Sequence, residues 1–345
     1  MTKFTFKAIL LFALAFVIST NVVSAQDEES ESKFSISGTA DTYFRTNLNG
    51  PNDADRFGIV APATSFANLP GFSLGMINLV GAYEGEKSGV VVDAVFGPRG
   101  SDAVFASPLY SSTGQIINQL YAYFSVGENA TITMGNFNTF LGYEVISPTA
   151  NFNYSTSYMF SYGPFSHTGL KVDIATESGF SIMAAILNPT DITEFNPTSD
   201  YFFGAQLGYG GFYLNGLFGD GYTQFDLTGG VDVTDKFYLG INATVTDTGD
   251  DTGFNGAALY AQYATSDNFK IGARYEFFND KNTVFGDFME NNVSDFTLSA
   301  NYSIGNLTII PEIRIDSSDE DVFLDSDGAA SSSLASFLMA FTYSF

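Results

Sequence analysis

The chain has 345 residues, and 38 acidic against 13 basic side chains give it a net charge of −25. That balance, with no basic stripe, excludes nucleic acid as a partner. A single His and no Cys exclude a disulfide scaffold and leave too few ligands for a transition-metal site, so no metal and no cofactor is expected.

The N-terminus reads as a targeting segment. Lys3 and Lys7 precede an apolar run from Ala8 to Ile18, and Val23, Ser24 and Ala25 form a cleavage site ahead of Gln26. An anchor would need about 20 apolar residues, so residues 1–25 are expected to be a removable signal peptide. Residues 26–33, with Asp27, Glu28, Glu29 and Glu31, read as a short acidic periplasmic tail. Beyond them charged residues are scarce, at 15% of the whole chain, and aromatics reach 16% without any Trp. No later stretch is apolar for the length of a membrane helix.

From Phe34 on, hydrophobicity alternates with period two in segments of about ten residues, the length of a tilted membrane strand. In chain order the expected strands are 34–44, 72–83, 88–97, 115–126, 130–138, 168–177, 179–188 and 200–209. They continue at 212–219, 224–234, 236–246, 254–265, 268–278, 294–304, 306–316 and 335–345. In the fifteenth, Leu307, Ile309, Pro311, Ile313 and Ile315 form one face, opposite Thr308, Ile310, Glu312, Arg314 and Asp316. The second face is rich in Gly, Ser, Thr and Asn throughout, as a wet lumen requires. The expected fold is all-β: a transmembrane antiparallel barrel of 16 strands, give or take two, occupying 34–345.

Even-numbered strands end in tight polar turns, such as Gly85-Glu86-Lys87 and Thr234-Asp235-Lys236. Odd-numbered strands are expected to end in longer loops: 45–71, 98–114, 139–167, 279–293 and 317–333. This asymmetry puts the long loops outside and the short turns in the periplasm. The last strand alternates through Phe337, Met339, Phe341, Tyr343 and Phe345 to the final residue. Phe341, Tyr343 and terminal Phe345 are similar to the signal that barrel-assembly machinery reads, although an ordinary closing strand would also fit.

One stretch is more specific. Gly135-Asn136-Phe137-Asn138-Thr139-Phe140-Leu141-Gly142-Tyr143-Glu144 leads to Asn153-Tyr154-Ser155, then to Gly163-Pro164-Phe165-Ser166-His167-Thr168-Gly169. It resembles the β-barrel porin-2 family, the OmpL-like outer-membrane barrels of Bacteroidetes-type bacteria. The resemblance implies an outer-membrane porin and brings no substrate with it. Physically, 139–167 is the longest connection and too apolar for a solvated loop, with eight Phe and Tyr between Phe140 and Phe165. It is expected to fold into the lumen and narrow it, with Glu144 facing the solute; a hydrophobic cap on the outer rim is the alternative.

By parity, the inward charges include Lys171, Asp173, Lys270, Arg274, Glu276, Glu312 and Arg314, expected with Glu144 to line the pore and set selectivity. A cross-strand ladder that merely stiffens the wall is the competing role. The carboxylates of 316–328 miss the calcium-loop spacing and read as a solvated acidic surface. His167 follows Ser166, but neighbours on an extended segment point opposite ways; a loop-fixing hydrogen bond is expected of His167, and no enzyme.

The resulting expectation is a porin-like channel in the outer membrane of a Gram-negative bacterium, passing small hydrophilic solutes by passive diffusion with mild cation preference. The alternative is a closed or plugged barrel that serves as a structural or surface-binding protein. Outer-membrane lipid and the assembly machinery are the expected partners, and a homo-oligomer stays open.

Overall fold

Lipid offers no partner to a backbone N–H or C=O, so a membrane-crossing sheet must close on itself. Sixteen antiparallel strands do so here, in a computed structural model that describes residues 33–58, 60–105, 114–250, 252–281 and 292–345. The signal peptide and most of the acidic tail expected from the sequence lie outside the described residues.

The wall begins with β1 (Lys33–Asn47), β2 (Gly71–Glu84), β3 (Ser88–Phe96), β4 (Ile117–Val126), β5 (Ala130–Asn138) and β6 (Ser166–Ala175). The shortest strands follow: β7 (Phe180–Leu187), β8 (Phe202–Tyr209) and β9 (Phe212–Gly219). Longer strands then follow: β10 (Tyr222–Thr234), β11 (Phe237–Gly249), β12 (Thr252–Ser266), β13 (Phe269–Lys281), β14 (Asn292–Ile304) and β15 (Leu307–Ser318). A two-residue ribbon, β16 (Phe323–Leu324) with β17 (Ala330–Ser331), stands on the rim. The closing strand β18 (Ser333–Ser344) pairs with β15 on one side and β1 on the other.

Alternation decides which face meets lipid. Leu259, Tyr275, Phe277, Leu298, Ile313 and Phe341 stand exposed on the outside, while Arg274, Glu276, Ser299 and Glu312 between them are buried inside. Near the tight-turn rim the outer aromatics Tyr83, Phe124, Phe180, Tyr209, Tyr263 and Tyr302 form a girdle, and Phe72, Phe96, Phe203, Phe225 and Phe296 form one toward the other rim. Pro311 sits in the wall without an N–H to give, and the β14–β15 register lapses beside it, between Ser299–Glu312 and Tyr302–Ile309.

The connections depart from the expected strict alternation. Gly219 and Tyr222 pair across the tight turn Asp220-Gly221, and Gly249 pairs with Thr252. Two odd-numbered strands therefore end in short turns, so that only part of the second rim carries long loops. Among the described residues those loops hold three short α-helices: α1 (Ala54–Phe57), α2 (Pro98–Ala103) and α3 (Tyr158–Tyr162). The last two mark chain that has turned inward, and the buried apolar clusters of the molecule lie between these segments and the inner wall.

Candidate functional site

The β5–β6 connection, 139–165, enters the lumen and sweeps along half the wall. Its base is tied by Thr139, whose N–H donates to the Phe165 carbonyl at 2.9 Å and whose hydroxyl lies 2.9 Å from His167 Nε2. The returning strand of that base is tied by Asp191, in the β7–β8 connection, whose carboxylate accepts the Phe165 and Ser166 N–H groups at 2.6 and 2.9 Å. His167 is fully buried against the Phe140 ring, 4.9 Å between centroids.

From there each wall strand supplies a seat. Asp226 on β10 accepts the Gly142 N–H at 3.0 Å, and Tyr143 stacks on Tyr260 of β12 at 4.0 Å. Glu144 meets Arg274 of β13 at 2.6 Å. Asn153 donates to Ser299 of β14 at 2.7 Å, and Glu312 of β15 accepts the Tyr154 and Ser155 N–H groups at 2.8 and 3.1 Å. Glu276 accepts the Tyr158 and Met159 N–H groups at the start of α3, at 2.8 and 2.7 Å. Tyr154 and Tyr158 donate their hydroxyls to Asp41 and Asp316 at 2.5 and 2.8 Å. Burial and the adjacent carboxylates raise both phenols well above their ordinary range, so they remain donors.

Side-chain volume makes this fit possible. A Cβ at Gly204, Gly240, Gly256 or Gly272 would lie within 3 Å of Phe140, Tyr143, Met159 or Phe152 respectively. These inward glycines, which composition assigns to an open aqueous lumen, are where the loop packs against the wall. The apolar loop is thus buried inside rather than capping the rim, because the wall offers it matched recesses and acceptors.

Five of the eight expected pore-lining charges therefore need correction. Glu144, Arg274, Glu276, Glu312 and Arg314 are all at most 5% exposed and are occupied by the loop or by one another. Arg274 and Arg314 share Asp295 at 2.6 and 3.0 Å, and Arg314 also holds Asp316 at 2.7 Å. Both also donate to loop carbonyls, of Ser155 and Thr156. Asp295 did not stand out in the sequence, although its parity on β14 could have marked it, and Asp316, placed there on the inward face and in the acidic stretch, was not expected to hold an arginine. The simple ladder fails because Glu276, Asp295 and Asp316 lie level on adjacent strands, one step along from Arg274 and Arg314. Asp316 consequently leaves the acidic rim cluster, whose Asp319, Glu320, Asp321 and Asp327 stay exposed. Among the described residues no three His, Asp or Glu side chains group as a metal site.

Three expected charges do reach open space. Lys171 pairs with Asp173 at 2.9 Å, with their side chains 25% and 40% exposed, and Lys270 lines a cavity of about 330 Å³ at the tight-turn end. A second cavity of about 310 Å³, beside Asp102, Ser161 and Tyr162, lies toward the other rim. Where the loop meets β10 and β11, beside Asp226 and Asn242, only about 10 Å³ is left, room for roughly one water.

A barrel wall with a polar interior and an inserted loop is the arrangement of a porin, and the sequence carries the same assignment. A family model described as "Putative beta-barrel porin-2, OmpL-like" matches residues 33–345. The chain belongs to this family. As a porin-2 barrel it is a porin-like outer-membrane channel and not an enzyme. Its fold is similar to that of the outer-membrane channel DcaP of Acinetobacter baumannii, with a TM-score of 0.58 and 11% identity over 94% of this chain and 100% of that one. An anion-selective porin from Comamonas acidovorans follows at 0.56 and 12%, covering 91% of this porin and 100% of its own chain. OmpT of Vibrio cholerae gives 0.55 and 11%, covering 93% and 99%. No curated protein matches the sequence.

Proposed function

We propose that this porin passes small hydrophilic solutes by passive diffusion through a lumen narrowed by loop 139–165, with mild preference for cations. The observation that carries the reading is a polar interior spanned by one loop, with a cavity toward either end and room for about one water where the loop meets β10 and β11. Lys171, Asp173 and Lys270 are the accessible inward charges that would tune selectivity. The exposed carboxylates of the 319–327 loop would draw cations to its rim. In this reading long loops face outward, short turns face the periplasm, the N-terminal 25 residues are removed, and Phe341, Tyr343 and Phe345 guide assembly into outer-membrane lipid. Self-association is compatible with it; OmpT of Vibrio cholerae has a trimer form.

A plugged barrel that binds something outside is the second reading. It is favoured by the complete burial of Tyr154 and Tyr158, which fill the lumen beside β13, β15 and β1. Single-channel recording of the refolded chain under a salt gradient separates the two. Steady small steps, with a reversal potential toward the cation limit, support diffusion. Silence from folded, inserted protein overturns it in favour of the plug.

A further inference from the structure

The outer wall is recessed where a bulge interrupts the alternation between β1 and β2. Ala40 pairs with Ile77 and Thr42 with Leu74, so Gly75 and Met76 both stand opposite Asp41. Met76 is buried inside, and a Cβ at Gly75 would strike the Asp41 carboxylate, so neither residue sends a side chain outward. Leu74 and Ile77 are therefore spread apart along the outer face, and the wall drops between them. The result is a cavity of about 560 Å³ on the membrane side of the barrel, within the size range of ligand pockets.

Strand register builds the rest. On β18, Tyr343 lies beside Ala40 and Phe341 beside Thr42, which makes one wall of a groove. Leu74 and Ile77, with Phe96 of β3 beyond them, make the other. Ala40 and Thr42 are too small to fill the floor between these walls. Along β1 the groove is bounded on one side by the Phe345 ring over Gly38 and on the other by the Phe44–Phe72 pair, 4.9 Å between centroids. Asp41 is the charged residue of the lining, and it turns its carboxylate inward, to the Met76 N–H at 3.0 Å and the Tyr154 hydroxyl. Such a slot offers nothing to an ion or a sugar. It is continuous with the lipid interface that the wall already makes, and a void there forfeits dispersion contacts of the atoms that line it. Because lipid tails are as apolar as the wall, packing rather than the hydrophobic effect decides what fills it.

We propose that this groove is a binding site for one acyl chain of a membrane lipid, laid along β1 over Ala40 and Thr42. A flexible hydrocarbon chain adapts its shape to a slot between two side-chain walls. A second copy of the barrel would instead have to bring a matching protrusion past Phe341 and Leu74 to reach the floor. The groove lies outside the lumen and does not depend on whether the barrel conducts.

The test is native mass spectrometry of the refolded full chain, transferred from palmitoyl-oleoyl phosphatidylethanolamine vesicles into a mild detergent. A barrel that keeps one phospholipid after the detergent is stripped supports the site. Ala40→Leu, whose larger side chain takes up the floor, should lower that retention roughly tenfold. Thr42→Leu should act alike and guards against a misfolded first variant, with folding checked by heat-modifiable gel mobility. Leu298→Ala, on the outer face of β14, should leave retention as it is. No retained lipid, or equal retention by both folded leucine variants, overturns the proposal. So does a wild-type oligomer that Ala40→Leu dissociates, which would assign the groove to a second copy of the chain. Failure here leaves the diffusion reading intact, and a silent barrel that retains its lipid overturns diffusion alone.

Discussion

Arg274 shows how one side chain is placed by its surroundings. It is fully buried, yet Glu144, Asp295, Thr297 and the Ser155 carbonyl satisfy most of its donors. Breaking such a pair from one side typically costs about 3–5 kcal/mol because the partner charge is stranded, so this residue welds loop to wall rather than meeting solute. Asp191 is the complementary case, a carboxylate in a loop. Burial lifts its pKa to about 6, against the pull of the Ser166 and Phe165 N–H groups. Since the ordinary value is 3.8, the folded barrel holds this proton more tightly than the unfolded chain does. The resulting stabilisation is complete below about pH 4 and disappears as pH rises through 6. Wild-type protein should therefore lose up to about 3 kcal/mol from this group between pH 4 and 7. Asp191→Asn should lack that component. Denaturant unfolding at both pH values reads it, and identical pH slopes in the two proteins would refute it.

Among the elements, the lumenal loop is the one proposed to set the bore. Its backbone N–H groups end on carboxylates of several strands, Glu312 holding two at once. Each such bond to a charged acceptor contributes about 1.5–3 kcal/mol, and Glu312 is the acceptor for both the Tyr154 and the Ser155 N–H. Glu312→Ala should free this segment and enlarge the single-channel step, with Glu312→Gln intermediate because one oxygen still accepts. An alanine variant that is folded and conducts as wild type would show that the loop is held elsewhere or does not set the bore. The wall elements themselves were legible beforehand: the structure's strands fall within a few residues of those expected from period two, because lipid enforces alternation along every one of them. The two tight turns after β9 and β11 were missed, since Asp220-Gly221 and Asp250 give no signal that distinguishes one rim from the other.

At the scale of the whole molecule, Phe345 extends the seam at which the barrel closes. Phe345 exchanges both backbone hydrogen bonds with Gly38 at 2.9 Å, and its ring covers that glycine on the outer face. Removing Phe345 leaves Gly38 unpaired at the seam between β1 and β18, where lipid supplies no substitute. A chain lacking Phe345 should be exported normally but reach the outer membrane as folded barrel in clearly lower yield, measured by cell fractionation and proteolysis of intact cells. Full yield would show that Phe341 and Tyr343 suffice.

Amino-acid order alone determined the wall: sixteen alternating segments with an uncharged outer face, a closing aromatic strand, and a loop too apolar to lie in water. These follow from local rules, because strand period and lipid contact act on each residue separately. What fills the lumen was decided only by tertiary structure. Gly240 and Gly272 look the same in sequence whether they line water or receive Tyr143 and Phe152. Glu276 and Arg314 likewise read as pore-lining charges until loop backbone groups arrive from more than a hundred residues away to occupy them. Parity says which way a side chain points; it cannot say what another part of the chain has placed there.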